Sequence, residues 1–204
     1  MVIKSAGNNL FDNDNSNLLG KSQTEYFHTM VAKDMFLSNR ERPDIQHTVA
    51  VLDTRVRSPN MIYWSKMVRV LKYLHFTRKY HLTLSIHDMR VINWYADTSF
   101  AVHPNFKSHT GGIMMWVPGE NKSRSMKQKL NTISITEVEI VIVDNMEPNI
   151  LWKELFTEDQ EYNVENNILY QDNKSSTLLE TNLCKSSGKR IWEMNMFYFF
   201  IMTK

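Results

Sequence analysis

The clearest periodic signal in the chain is the apolar stripe Trp64, Met67, Val68, Leu71 and Leu74. That spacing predicts an amphipathic helix with one buried face. Two weaker stripes precede it. Phe27, Met30, Val31 and Met35 follow the capping-type run Ser22-Gln23-Thr24-Glu25, which predicts a helix starting there. Ile45, Val49, Leu52 and Val56 follow Pro43, a residue suited to the first turn of a helix. Pro59-Asn60 separates the second helix from the third. Residues 1–21 are rich in Asn and Asp and predict an irregular lead-in.

The period changes near residue 81. His81-Leu82-Thr83-Leu84-Ser85-Ile86 alternates as a strand does. Val91 to Asp97 is a run of β-formers that ends in a carboxylate. Gly111-Gly112 leads into the unbroken apolar run Ile113 to Val117, and Pro118 to Asn121 reads as a turn. Ser123 to Ile135 predicts a further strand that carries Lys127, Gln128 and Lys129. Strands joined directly in sequence predict an antiparallel meander.

A helix is expected over 136–158 on Val138, Ile142 and Met146, with Pro148 ending or kinking it and Trp152, Leu155 and Phe156 continuing the apolar packing. A loop over 157–166, a strand over 167–172 and a short helix opened by Asn173 or Ser175 follow. The last stretches are a loop over 181–189 and an aromatic segment over 194–202. The predicted order from residue 91 is β-β-β-α-β-α. It gives an α/β mixed sheet with flanking helices, preceded by a small helical region.

Composition adds limits. With 204 residues, 42% of them hydrophobic, the chain can bury a core for one or two domains. The net charge of +2 says little about partners, but between 40 and 79 it is uneven. There Arg40, Arg42, Arg55, Arg57, Lys66, Arg69, Lys72, Arg78 and Lys79 face only Glu41, Asp44 and Asp53. A surface tracking a nucleic-acid backbone and an ordinary solvated helix face both fit that excess. The single Cys184 excludes an internal disulfide and a multi-cysteine zinc site. No apolar run reaches the roughly 18–20 residues of a membrane helix, and no signal-type leader opens the chain. An intracellular protein, cytoplasmic or nuclear and without a membrane partner, is expected.

Three places offer carboxylates at element ends. Asp97 and Asp172 close strands, and Glu137 and Glu139 open the long helix. Oxygen ligands of this kind suit hard divalent cations.

The wording of several blocks is also informative. Arg42-Pro43-Asp44-Ile45, then Trp64, then Arg69 to Arg78, resembles the "RPDI … W … RVLRYLKGTR" region of copia-type LTR retrotransposon polyproteins. Trp94 to Phe100 resembles their "YSDADWA", Lys107 to Gly111 their "RRSTSG", Ser134 to Glu139 their "SSTEAE", and Tyr170 to Asn173 their "YCDNQ". The blocks are colinear from about Ala6 to the end.

The resemblance implies a late fragment of such a polyprotein. Residues 1–80 would be a thumb or connection region after the reverse transcriptase palm, and 81–204 a ribonuclease H-like domain, truncated at its C-terminus. No Asp-Asp pair of the palm type occurs in the chain. The implied activity is Mg²⁺-dependent hydrolysis of RNA in RNA–DNA hybrids, using two ions about 3.5–4 Å apart. Asp97, Glu139 and Asp172 would be the metal ligands, with Glu139 preferred over Glu137 by the family's pattern.

Where the family has a fourth catalytic acid, this chain has Asn195, which ligates only as a neutral carbonyl, with Glu193 two residues before it. A weakened acidic set is therefore implied. Arg69, Lys72, Arg78, Lys127 and Lys129 are the expected nucleic-acid contacts. The polymerase portion of the same polyprotein is the expected protein partner. The alternative function is a non-catalytic retroelement relic that binds nucleic acid. A structural α/β domain of unrelated role predicts instead that the three acids lie far apart.

Overall fold

The structure, a computed structural model, describes residues 10–11, 16–84, 89–116, 119 and 121–181. Cys184, Glu193, Asn195 and the aromatic segment over 194–202 lie outside the described residues.

Three helices come first. α1 spans Lys21–Ser38 and buries Phe27, Val31, Asp34 and Ser38. Its N-cap is Gly20, which makes no side-chain cap bond, so Ser22 to Glu25 lie inside the first turn rather than ahead of it. Pro43–Ile45 forms a 3-10 turn that leads into α2, Gln46–Asp53. α3 spans Met61–Phe76, and its cap is Asn60, whose side chain accepts from the Tyr63 amide at 3.1 Å.

The α3 stripe is rotated from expectation. Tyr63, Met67 and Val70 are the buried positions, whereas Trp64, Val68 and Leu74 only border the core. The helix carries apolar residues over a wide arc, and the part facing Phe27, Val31, Val49 and Leu52 is the part that closes.

Arg42 departs from the sequence reading too. It is buried rather than part of a basic surface. Its guanidinium makes a two-pronged contact with Asp44, at 2.9 and 2.8 Å, and donates to the Thr77 hydroxyl at 2.7 Å. Tyr73 donates its hydroxyl to the same Asp44. The Arg-Pro-Asp block therefore ties the start of α2 to the end of α3.

Four strands follow: β1 (Val91–Ser99), β2 (His109–Met115), β3 (Lys122–Lys127) and β4 (Asn166–Tyr170). Their order in the sheet is β3-β2-β1-β4. β1, β2 and β3 form the expected antiparallel meander, and β4 joins β1 in parallel. Residues 81–84 are not a strand, and Leu82 and Leu84 are exposed. No strand among the described residues pairs with them to bury one face. β3 stops at Lys127, well short of Ile135; the next residue, Gln128, is buried and donates its side-chain amide to the Val138 carbonyl at 3.2 Å.

α4 spans Ile135–Asp159 and continues past Pro148. A proline inside a helix costs roughly 3 kcal/mol, and burial of Met146 and Ile150 on either side of it offsets that cost. Its far end contradicts the expected packing: Trp152, Leu155 and Phe156 are exposed. α5 spans Lys174–Thr181, with the Asn173 side chain accepting from the Ser176 amide at 3.0 Å, so Asn173 rather than Ser175 opens the helix.

α4 covers one face of the sheet. Ile92, Trp94 and Ala96 of β1 and Met114 of β2 pack on Ile142, Val143, Met146 and Ile150. Gly112 allows this closeness, because a Cβ there would stand 2.9 Å from the Met146 sulfur. α2 approaches the other face, where the Gln46 side-chain amide donates to the Ser123 carbonyl at 2.9 Å. The result is an α/β mixed sheet with flanking helices and a helical region before it, consistent with a ribonuclease H-like fold. No helix among the described residues is long and apolar enough to cross a membrane.

Candidate metal centre

The parallel pairing of β1 and β4 brings two distant acids together. Tyr95 pairs with Tyr170, and two residues farther along each chain come Asp97 and Asp172. Parallel strands lie about 4.8 Å apart, so equal offsets from a paired position remain neighbours. Glu139 arrives from the first turns of α4. Asp97, Glu139 and Asp172 each present a carboxylate oxygen within 4.8 Å of the others.

The start of α4 decides which of its two acids joins the group. Ser134 caps the helix by accepting from the Glu137 amide at 3.2 Å, and the Glu137 carboxylate accepts from the Ile133 amide at 2.8 Å. Glu137 is committed to this reciprocal cap. Glu139, two positions on, points into the sheet end and is buried.

Each acid has its own surroundings. Asp97 is exposed and accepts from the Thr98 amide at 2.8 Å. Asp172 is exposed. Glu139 accepts from the Thr98 hydroxyl, and from the Gln171 side-chain amide at 3.4 Å. The Gln171 amide also donates to the Glu139 backbone carbonyl at 3.1 Å, and its oxygen accepts from Ser176 at 2.7 Å. Ser176 is fully buried, so this chain of bonds anchors Gln171 behind Glu139.

Burial pushes the Glu139 carboxyl above its ordinary range, and the nearby Asp97 and Asp172 push it further. The Thr98 and Gln171 bonds act against that rise. Three converging carboxylates, one of them buried, form a negative site that a cation would relieve. The cluster can hold a metal ion, and its all-oxygen donor set suits a hard divalent cation rather than a thiophilic one.

The expected nucleic-acid contacts are spread over several elements. Arg69 and Lys72 are exposed on α3, Arg78 is exposed just beyond it, and Lys129 is exposed after β3. Lys127, at the end of β3, is half-buried. The candidate fourth ligand Asn195 and its neighbour Glu193 lie outside the described residues.

Residues that sequence reasoning did not single out also matter. Thr98 and Gln171 stand next to Asp97 and Asp172 in the chain, so adjacency was a usable signal for them. Three histidines, His47, His103 and His109, meet beside the sheet. They come from α2, a loop and β2, and no spacing in the sequence announces that meeting.

No protein-family model matches the chain, and no solved structure does. The chain is 26% identical over 157 residues to a retrovirus-related Pol polyprotein from transposon TNT 1-94 of Nicotiana tabacum, covering 76% of this chain and 12% of that protein. It is 28% identical over 113 residues to a putative transposon Ty5-1 protein of Saccharomyces cerevisiae, covering 55% of this chain and 37% of that protein. A secreted RxLR effector protein of Plasmopara viticola is 29% identical over 119 residues, 58% of this chain and 84% of that protein. The chain thus spans about an eighth of the tobacco polyprotein and about a third of the yeast protein. The first two likenesses support a retroelement-derived protein.

Proposed function

We propose that residues 81–204 are the ribonuclease H-like domain of a copia-type retrotransposon polyprotein, and that they hydrolyse the RNA strand of RNA–DNA hybrids with Mg²⁺. Residues 1–80 are then a thumb- or connection-like region that followed the polymerase. The observation that carries this reading is the convergence of Asp97, Glu139 and Asp172, separated by 42 and 33 positions in the chain, within 4.8 Å.

The protein's own groups do the following in this reading. Asp97, two residues before the end of β1, and Asp172, two residues past β4, present oxygens side by side, where a phosphodiester can approach from solvent. Glu139 closes the set from beneath, its carboxylate held in one orientation by Thr98 and Gln171. Bound at these oxygens, a pair of Mg²⁺ ions would supply an activated water and stabilise the departing 3′-oxygen. Exposed Arg69, Lys72, Arg78 and Lys129, with Lys127, contribute phosphate contacts that depend on salt rather than on base sequence.

Cleavage of an end-labelled RNA–DNA hybrid tests the reading. Cleavage in Mg²⁺ that disappears in EDTA and in the Asp97→Asn variant is expected. Equal cleavage by Asp97→Asn, or none by the wild type, contradicts it. The second reading, a relic that binds nucleic acid without cutting it, is favoured by one observation: Asn195 stands where copia-type sequences carry their fourth acid. It predicts hybrid binding with no cleavage at any Mg²⁺ concentration.

A further inference from the structure

On the sheet face away from α4, one row of backbone partners crosses three strands: Asp97, Gly111, Ser125. Residues directly opposite one another share a face. The middle member of this row has no side chain. Above it Pro43, Gln46 and His47 of the helical region form a roof over Tyr95, Asp97, Gly111 and Ser125. The space between is a cleft of about 250 Å³. A Cβ on Gly111 would meet nothing closer than the Asp97 carbonyl at 3.9 Å, so the opening is free volume rather than a packing requirement.

The two walls differ in chemistry. One is the carboxylate of Asp97, a member of the acid triad. The other is the imidazole of His47, held in place by a ladder of side chains. Its Nδ1 lies 3.2 Å from the Ser125 hydroxyl, which lies 2.7 Å from His109 Nε2. His109 Nδ1 is in turn 3.1 Å from His103 Nε2. The Phe11 ring packs edge-on against His47 and His103. Nδ1 of His47 is thus committed, and its Nε2 has no hydrogen bond among the described residues.

Positive charge gathers one row farther along the same face. Lys127 pairs with His109 in the sheet, and its charged form is disfavoured first by burial and then by the nearby charges of Arg55 and Lys107. The Arg55 guanidinium lies over the Tyr63 ring, and its Nε is buried with no hydrogen bond. Neither Lys127 nor Arg55 has an acidic partner among the described residues. Asp97 lines the cleft, and the uncompensated cations lie beyond its lining, with Lys127 past Ser125 on the same strand. A phosphodiester neutralised in part by a divalent ion matches that order of charges.

We propose that this cleft seats a backbone phosphodiester of the nucleic-acid strand beside the acid triad, with His47 Nε2 hydrogen-bonded to it and the helical region as the outer wall. The choice of a nucleic-acid strand rests on the hydrolase reading above; the anion site itself rests on the cleft. The helical region is then part of the binding site and not merely a neighbour of it.

The test is equilibrium binding of a fluorescent RNA–DNA hybrid to the full chain in Ca²⁺ in place of Mg²⁺, so that a divalent ion is present at the acid triad while Mg²⁺-dependent cleavage does not enter. Gly111→Val puts a branched side chain into the cleft, its Cβ clear of the backbone, and His47→Gln removes the imidazole. Circular dichroism and Mn²⁺ affinity at the acid triad, unchanged in both variants, establish that fold and metal site are intact. Each substitution is expected to weaken hybrid binding about tenfold or more, the weight of one hydrogen bond to a charged group. Affinity within twofold of wild type for both variants, or a wild type with no hybrid affinity, overturns the proposal.

Inorganic phosphate and a nucleoside monophosphate serve as competitors. Displacement of the hybrid by micromolar monophosphate assigns the cleft to free nucleotides and overturns the strand assignment. Weakened variants together with a wild type that never cleaves leave the cleft standing and remove the hydrolase reading. Unweakened variants with a cleaving wild type do the reverse.

Discussion

Tyr95 and Tyr170 stack face to face across β1 and β4, with ring centroids 5.0 Å apart and planes 12° from parallel. Each stands two residues before an acid of the triad. The pair bridges β1 and β4 at the register position two residues before Asp97 and Asp172. A double-mutant cycle with Tyr95→Ala and Tyr170→Ala should give a coupling of about 0.5–1.5 kcal/mol in unfolding free energy. Strict additivity of the two substitutions would show that the stack does not couple the two strands.

Thr98 and Gln171 keep a buried carboxylate usable. Burial raises the Glu139 pKa above its ordinary 4.5, and the two donors oppose that rise. A cation needs the ionised form, so divalent affinity should fall as pH falls through the raised pKa. Thr98→Val and Gln171→Leu each remove a donor and should move the pH of half-maximal Mn²⁺ binding upward. A midpoint that stays fixed, or moves down, contradicts this account of Glu139.

Much of the fold was legible from pattern alone. Helical stripes placed α2 and the first half of α4, a run of β-formers placed β1, and carboxylates expected at strand ends pointed to Asp97 and Asp172, although β1 runs on to Ser99 and β4 stops at Tyr170. The errors have physical causes. The α3 stripe was one of two apolar arcs, and tertiary contact with α1 and α2 chose Tyr63, Met67 and Val70. Leu82 and Leu84 alternate as strand residues do, but no strand among the described residues pairs with them. Pro148 was expected to end or kink the helix; the helix does not end there, because propensity ignores the burial of Met146 and Ile150. Glu139 and Glu137 could not be told apart by local pattern, since the difference is that Glu137 is used in capping. The histidine ladder was invisible because His47 joins His103 and His109 only after the helical region folds onto the sheet.

The ladder should make stability depend on pH in a defined direction. His103 is pushed down to about 4 and His109 to about 3, first by burial and then by surrounding positive charge. Lys127, Arg55 and His47 face His103, while His47 and His103 face His109. A histidine pKa depressed below its ordinary 6.5 means that the fold prefers the neutral ring. Its contribution is complete above 6.5 and is lost as pH falls toward the folded value. At pH 5 the loss is on the order of 2 kcal/mol per histidine. The stability gap between wild type and a His103→Asn/His109→Gln variant should narrow between pH 7 and pH 4. A gap independent of pH contradicts the ladder.

Asp34 works in the opposite sense. It is buried in the helical region with one carboxylate oxygen lacking a hydrogen bond, and burial raises its pKa from 3.8 to about 6. A raised carboxyl pKa favours folding below 3.8 and costs stability as pH rises through 6. Asp34→Asn should raise the melting temperature at pH 7, with a gain of up to about 3 kcal/mol, and the gain should vanish near pH 3.5. A destabilised variant at pH 7 would show that Asp34 has a partner that its surroundings do not reveal.

The account stands most directly on whether the three convergent acids bind a divalent cation. Mn²⁺ titration followed by electron paramagnetic resonance measures that at equilibrium, whether or not the chain cuts RNA. Saturable binding by the wild type, weakened at least tenfold by Asp97→Asn and by Asp172→Asn and unchanged by Glu137→Gln, is the predicted result. Wild-type binding that survives Asp97→Asn and Asp172→Asn at full strength, or no saturable binding at all, would contradict it.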